Sequence, residues 1–369
     1  MKVGIPKERR PGEARVAASP DTVKRYRGQG LDVVVERGAG RGAAIGDDAF
    51  EKAGATLGSA EEALGADIVL KVQRPEDDEA ERMKEGQVLV TQLDPYNNRP
   101  LLDKLAEKKV TSFSLELLPR TTRAQAMDVL SSQANLAGYK AVIDAMARYT
   151  RVMPMMMTAA GTVTPAKFFI VGAGVAGLQA IATARRMGAV VSATDVRPAA
   201  KEEVESLGAK FVGVPVDPGE GGYARALTED EQKAQAKMVA EHVKNQDIVV
   251  TTAQIPGRKA PRIVSGEMVR SMKAGSVVLD LAADSGGNVE GSKPGEVVET
   301  EGGVSIIGAS NLPARLAPAA STLYAKNLMN FVALLVDKDK GLTVNKDDDL
   351  VVGALVTEGG AIVHPRLKA

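Results

Sequence analysis

The chain has 369 residues, 44% of them hydrophobic and 25% charged, with 47 basic residues balancing 47 acidic ones and no cysteine. This length exceeds one ordinary core and predicts two domains, and the charge balance gives no ground for a nucleic-acid partner. The lack of cysteine excludes disulfides, a thiolate nucleophile and cysteine-based metal sites, and it suits a reducing compartment. The opening segment MKVGIPKERRPGEARVAASP has no apolar core of the signal-peptide kind. No run reaches about 18 apolar residues, so no membrane span is expected and any membrane role would come through a partner.

The first third alternates strand-like segments (2–6, 32–36, 67–72, 88–93, 112–117) with helix-like ones (21–29, 47–55, 59–64, 99–107). Such alternation predicts a parallel sheet with helices on both faces. Lys7, Glu8 and Arg15 surround a Pro-Gly turn, and Lys71 ends the strand of VLKVQRP. Ligand sites lie beyond the carboxyl ends of such strands, so these residues are either a carboxylate-binding set or ordinary surface charges.

A long helical stretch over 123–148 follows. Its approach, PRTTRAQAMDVLSSQANLAGY, carries Arg120, Arg123, Gln125, Asp128, Ser131 and Ser132. These side chains suit a nicotinamide carboxamide and its ribose, or simply a solvated, serine-capped helix start. The next segment, VMPMMMTAAGTVTP, reads as core or linker packing, with a soft apolar wall beside a cofactor as the alternative.

The centre of the chain carries the most specific signal. An apolar run at 168–171 leads into Gly172-Ala173-Gly174-Val175-Ala176-Gly177, a helical segment at 178–187, a second apolar run at 190–194, and Asp195. Strand, turn, helix, strand and acid at this spacing form a dinucleotide-binding fingerprint. The first glycine serves the tight turn and the second a close approach to pyrophosphate at a helix N-terminus. The third allows close packing of helix on strand. Asp195 would accept hydrogen bonds from the adenosine ribose hydroxyls and so favour NAD(H) over NADP(H). Arg197, two residues on, weakens that preference slightly.

Further strands are expected at 167–171, 190–194, 210–214, 247–251, 276–281 and 304–307, a six-strand Rossmann-like set. Inside it lies PVDPGEGGYARALT, a 14-residue connection that is either a lid tipped by Tyr223 or a surface excursion. Thr228 and Glu231 form a capping box for the helix after it. A second long helix is expected at 321–336, and the arms 350–357 and 361–364 form a hairpin turning at Glu358-Gly359-Gly360. The fold class is therefore α/β. Two doubly wound Rossmann-like parallel-sheet domains are joined by two long helices, and the C-terminal tail returns to the first domain. The expected domains are 1–130 plus 325–369, and 131–324.

His242 and His364 are the only histidines. Neither falls at a strand end in the expected cleft, where a hydroxyl-type dehydrogenase commonly uses histidine as acid and base. No histidine spacing suggests zinc, and no metal is expected.

The ordered motifs IPKERRPGEARVA, VLKVQRP, PRTTRAQAMDVLSSQANLAGYKAVIDA, PMMMTAAGTV, GAGVAGLQAIATARRMGA, TDVRPA, VESLGAKF, GGYA, AQIPGRKAP and AIVHP span essentially the whole chain. Together they resemble the NAD(H)-binding component of proton-translocating NAD(P)+ transhydrogenase, in its separate alpha-1-type form. The resemblance implies direct hydride transfer between NAD(H) here and NADP(H) on a partner subunit, coupled to proton movement by a membrane-spanning proton-channel subunit. It implies that Arg120, Asp128 and Ser131 position the nicotinamide and its ribose, and that Gln125 reaches the partner's NADP(H). It places Gly172, Gly174, Val175, Ala176, Gly177, Asp195, Val196, Arg197, Gly222, Tyr223, Ala253 and Gln254 at NAD(H), with Tyr223 tipping a mobile loop. It also implies a homodimer in the cytoplasm, attached peripherally to the inner membrane through its partner subunits. Such a reaction moves no proton at the reacting carbons. It needs apposition of the rings at about 3–3.5 Å, exclusion of water and a moving lid.

The same architecture is similar to alanine dehydrogenase. Arg15 and Lys71 match positions that bind substrate there, and Asp284 resembles an acidic active-site position. Where that family has its catalytic histidine, in VTQLDPYN, this chain has Gln92. An amino-acid dehydrogenase and a non-catalytic NAD-binding module are the alternative readings.

Overall fold

The computed structural model describes residues 1–197, 199–213, 228–255, 257–337 and 341–368. The chain divides into two compact units, Met1–Gln133 with Pro313–Ala369, and Ala134–Leu312.

In the first unit, β1 (Lys2–Ile5), β2 (Asp32–Glu36), β3 (Thr56–Gly58), β4 (Ile68–Leu70), β5 (Val88–Thr91) and β6 (Thr111–Ser114) run parallel in the order β3-β2-β1-β4-β5-β6. This is the doubly wound order, with its reversal between β1 and β4. Both faces are covered, so β4 and β5 are apolar and buried without alternation. Ile5, Phe113, Tyr324 and Phe331 fill one face, and Val69, Leu89, Leu102 and Leu105 the other.

The tail completes this sheet. Leu355–Glu358 pairs antiparallel with β6, and Ala361–Ile362 lies outside it. Gly359 and Gly360 take φ of 57° and 88°, the paired positive values that a two-residue type I′ hairpin requires.

Local hydrogen bonding moves several expected boundaries. The 112–117 strand stops at Ser114 because Glu116 turns back to accept the N–H groups of Leu93 and Asp94, both at 2.8 Å. The stretch over 123–148 splits at Asp128 into a 3-10 turn, Thr122–Met127, and the helix Val129–Arg148. The arm at 350–357 begins as the helix Asp349–Ala354, which the Asp348 side chain caps at the Leu350 N–H. The strand β3 and the helix Asp77–Arg82 are too short for hydrophobic periodicity to announce.

The expected domain boundary at 324/325 falls inside the helix Ala317–Val332, which belongs wholly to the first unit. Its Tyr324, Leu328 and Phe331 are fully buried in that unit's core.

The second unit opens with an antiparallel hairpin, β7 (Met156–Thr158) and β8 (Gly161–Val163). Its main sheet consists of β9 (Lys167–Val171), β10 (Val190–Thr194), β11 (Lys210–Phe211), β12 (Ile248–Thr251), β13 (Val277–Asp280), β14 (Val297–Glu299) and β15 (Ser305–Gly308). The order is β11-β10-β9-β12-β13-β15-β14, parallel except at the edge strand β14. The helix Val175–Arg186 lays Ala180, Ile181 and Ala184 on one face beside Phe168 and Ile170. Val239 and Val243 of the helix Glu229–Val243 cover Phe169 and Val171 on the other.

The methionine segment departs from the expected core or linker packing. Met153 is buried, whereas Met155, Met156 and Met157 are 60%, 46% and 76% exposed along the hairpin. A two-stranded ribbon has no second layer to cover its apolar side chains.

Candidate dinucleotide site

The turn at the carboxyl end of β9 takes the form its sequence demands. Gly172 has φ of 99°, a region that only glycine enters readily. A β-carbon on Gly177 would sit 1.8 Å from the Gly172 carbonyl oxygen, so helix and strand touch backbone to backbone there. A β-carbon on Gly174 would meet nothing within 4 Å. Gly174 is also the N-cap of the helix Val175–Arg186, and no side chain caps that terminus. The first-turn N–H groups therefore face open space around Gly174, Val175 and Ala176, with the positive end of the helix behind them. A phosphate group would satisfy both, so the residues present fit a dinucleotide.

Asp195 ends β10 beside this turn. Its Oδ2 accepts the Ala173 N–H at 2.7 Å and its Oδ1 the Arg197 N–H at 2.8 Å. The Arg197 guanidinium folds onto the same carboxylate, Nε at 3.1 Å from Oδ1 and Nη2 at 3.3 Å from Oδ2. Its Nη2 also donates to the Ala173 carbonyl at 3.0 Å. The hydrogen bond to Asp195 raises the Arg197 pKa above its usual value. Val196 is exposed.

On the other side, β12 runs into Thr252, Ala253 and Gln254. The Thr252 hydroxyl donates to the Gly172 carbonyl at 2.9 Å. Asn288, fully buried, accepts the Ala253 N–H at 3.0 Å and donates to the carbonyls of Ala253 and Pro261 at 2.9 and 2.8 Å. It clamps the segment that follows β12. Gln254 is exposed and donates to the Leu281 carbonyl at 3.1 Å. Asn288 carried no sequence signal: it lies four residues past Asp284, and only its burial reveals its role. Asp284 itself is exposed in a 3-10 turn. Gly222 and Tyr223 lie outside the described residues.

Within the first unit, Asp128 organises the start of the helix Val129–Arg148. Its Oδ1 accepts the Ser131 N–H at 2.9 Å and its Oδ2 the Ser131 hydroxyl at 2.5 Å, the pattern of an acidic N-cap. The Ser132 hydroxyl donates to Asn327 Oδ1 at 2.7 Å, and Arg123 pairs with Asp348 and Asp349. Arg120 and Gln125 are exposed, and neither side chain bonds to any described residue. The polar set expected here thus divides into a capped helix start, an ion pair to the tail, and two free donors.

Arg15 and Lys71 are neither surface charges nor open binding groups. The Arg15 guanidinium forks onto Glu13, with contacts of 2.8 and 2.7 Å, and reaches Gln133 Oε1 at 2.8 Å. Burial raises the Glu13 carboxyl, but the hydrogen bonds and charge of Arg15 outweigh it and hold the group at about 2. Lys71 Nζ is buried between Glu79 at 3.2 Å and Glu8 at 3.5 Å. Burial pushes the Glu8 carboxyl up to about 7 despite Lys71. Two carboxylates around one ammonium leave an excess negative charge, which a proton on Glu8 removes.

Both histidines have structural partners. His242 Nε2 meets the Ser192 hydroxyl at 2.7 Å, and its ring packs edge-on against Phe169. His364 Nδ1 accepts the Arg366 N–H, which leaves Nε2 to donate to the Gly353 carbonyl at 3.2 Å. Gln92 is half-buried just past β5. Among the described residues there is no metal-binding cluster, and no helix is long and apolar enough to cross a membrane.

The sheet orders and the glycine turn define a two-unit α/β protein of the dinucleotide-binding class. Residues 4–137 match the alanine dehydrogenase/PNT N-terminal domain, and residues 141–365 match the alanine dehydrogenase/PNT C-terminal domain. The chain is 53% identical over 380 residues to the first of the separate chains that make up the NAD(P) transhydrogenase alpha subunit of Rhodospirillum rubrum, covering 100% of this chain and 99% of that one. It is similar to a transhydrogenase crystal structure from Sinorhizobium meliloti, with a TM-score of 0.91 and 55% identity over 98% of this chain and 100% of the other. An L-alanine dehydrogenase structure aligns with a TM-score of 0.85 at 26% identity over 100% and 98% of the two chains. The chain belongs to the alanine dehydrogenase/PNT family, within its NAD(P) transhydrogenase alpha-subunit group.

Proposed function

We propose that this chain is the NAD(H)-binding component of a proton-translocating transhydrogenase. The observation that carries the reading is the 172–177 turn: an open Gly174 at an uncapped helix N-terminus, with Asp195 beside it. The helix terminus holds the pyrophosphate and Asp195 the adenosine ribose. Ala253 and Gln254 add contacts from the segment that Asn288 clamps. Arg120, Asp128 and Ser131 are assigned to the nicotinamide and its ribose, and Gln125 to the partner's NADP(H). When bound, the nicotinamide supplies a hydride directly to the second nicotinamide, or receives one from it.

The protein's own work in such a reaction is positioning and exclusion of water. Arginine, glutamine, aspartate and serine suffice for that. The structural partners of His242 and His364, and Gln92 in place of an imidazole, support this reading over amino-acid oxidation. Coupling to proton movement is assigned to a membrane-spanning partner subunit, which would hold this chain at the cytoplasmic face of the inner membrane. The exposed methionines of the β7–β8 hairpin support a homodimer, because an uncovered apolar ribbon is a natural contact surface.

The test mixes the chain with an NADP(H)-binding partner component and follows hydride transfer from NADH to an oxidised NADP analogue. A partner-dependent rate is expected. NADH binding without any partner-dependent rate would overturn the reading. NADH oxidation by pyruvate and ammonia without a partner would favour the alanine dehydrogenase alternative.

A further inference from the structure

The carboxylate of Asp195 is fully used before any ligand arrives. A carboxylate offers about four lone-pair positions. Here they accept the Ala173 N–H, the Arg197 N–H, Arg197 Nε and Arg197 Nη2. The two ribose hydroxyls of an adenosine need two of these positions. The Ala173 and Arg197 N–H groups belong to the backbone and cannot leave without breaking the turn. The two guanidinium contacts come from a side chain that is 45% exposed and free to rotate. Glu203 Oε2, 3.7 Å from Arg197 Nη2, gives the guanidinium a partner beyond the pocket.

We propose that Arg197 is a latch on the adenosine-ribose pocket: its guanidinium occupies the ribose-binding positions of Asp195 and must swing away for NAD(H) to seat. This rests on the assignment of Asp195 to the adenosine ribose. It turns a residue expected to touch the cofactor into one that competes with it. The latched fraction of molecules lowers the apparent affinity by that same fraction. Once released, the guanidinium lies beside the ribose 2′ position, where it would soften the repulsion between Asp195 and a 2′-phosphate. Arg197 therefore narrows the preference for NADH over NADPH from both sides.

The experiment titrates NADH and NADPH, by nicotinamide fluorescence, into wild type, Arg197→Ala, Arg197→Met and Asp195→Ala. The exposed ion pair sets the expected size. Arg197→Ala and Arg197→Met should tighten NADH binding about two- to five-fold, while NADPH binding weakens or stays level, so that selectivity widens. Weakened or unchanged NADH binding in both Arg197 variants, with Asp195→Ala still losing affinity, would overturn the latch alone. Wild-type NADH affinity in Asp195→Ala would overturn the ribose assignment beneath it.

Discussion

A β-carbon placed on Gly138 would lie 2.1 Å from the carbonyl oxygen of Ala176. The helix Val129–Arg148 therefore meets the first turn of the fingerprint helix at van der Waals contact of backbone on backbone. Helix propensity alone favours Gly138→Ala by about 1 kcal/mol. Overpacking against a backbone that cannot retreat costs about 1–3 kcal/mol, and it should win. Gly138→Ala is expected to lower stability in urea and to weaken NADH binding together, since Ala176 sits at the proposed pyrophosphate site. Increased stability with unchanged NADH affinity would show that the contact relaxes freely.

Gln125 is exposed and its side chain bonds to no described residue. Gln125→Asn shortens the side chain by one methylene and should leave folding and NADH affinity near wild type. Transfer to a partner's NADP analogue should slow by about ten- to a hundred-fold, the scale of an ångström-sized misplacement of reacting groups. Stopped-flow transfer rates measured beside NADH titrations test this, and a loss confined to NADH binding would contradict the assigned role.

The Glu8 carboxyl is raised from 4.5 to about 7 in the folded chain. Between those values the folded state holds the proton more tightly than the unfolded state. Its contribution to stability is thus fully present below about pH 4.5 and is lost as pH rises through about 7. The lowered pKa values of His242 and His364 act in the opposite sense, favouring the fold above the unfolded histidine value of about 6.5. Comparing Glu8→Gln with wild type cancels the histidines. The variant should gain stability relative to wild type as pH goes from 5 to 8, by about 1–3 kcal/mol. Equilibrium urea curves across that range measure it, and a constant difference would show that Glu8 does not titrate there.

Met155 and Met157 are the most exposed of the hairpin methionines. Replacing both by glutamate should change the stability of the isolated chain by no more than about 0.5 kcal/mol, as is usual for surface sites. It should also shift a homodimer toward monomer in sedimentation velocity runs. Unaltered dimerisation would move the contact elsewhere.

The fingerprint was legible because each of its glycines answers a backbone demand, and a backbone demand leaves a mark on residue identity. Periodicity found the longer strands by the same logic, and the tail hairpin announced its turn through Gly359 and Gly360. It could not find β3, a three-residue strand, or the break at Asp128, where a side-chain cap overrides a helical pattern. The exposed ribbon at Met155–Met157 was read as packing because methionine identity carries no information about whether a second layer exists.

Sequence by itself determined two doubly wound units, one dinucleotide turn with an acid after its second strand, and a histidine-poor chemistry, because these follow from local geometry and residue type. Tertiary structure alone decided how the charges are spent. Lys71 is enclosed by Glu8 and Glu79, Arg15 is held by Glu13, Asn288 clamps Ala253, and Arg197 lies across Asp195. An ionisable side chain has no fixed role until its neighbours and its distance from water are known, and folding sets both.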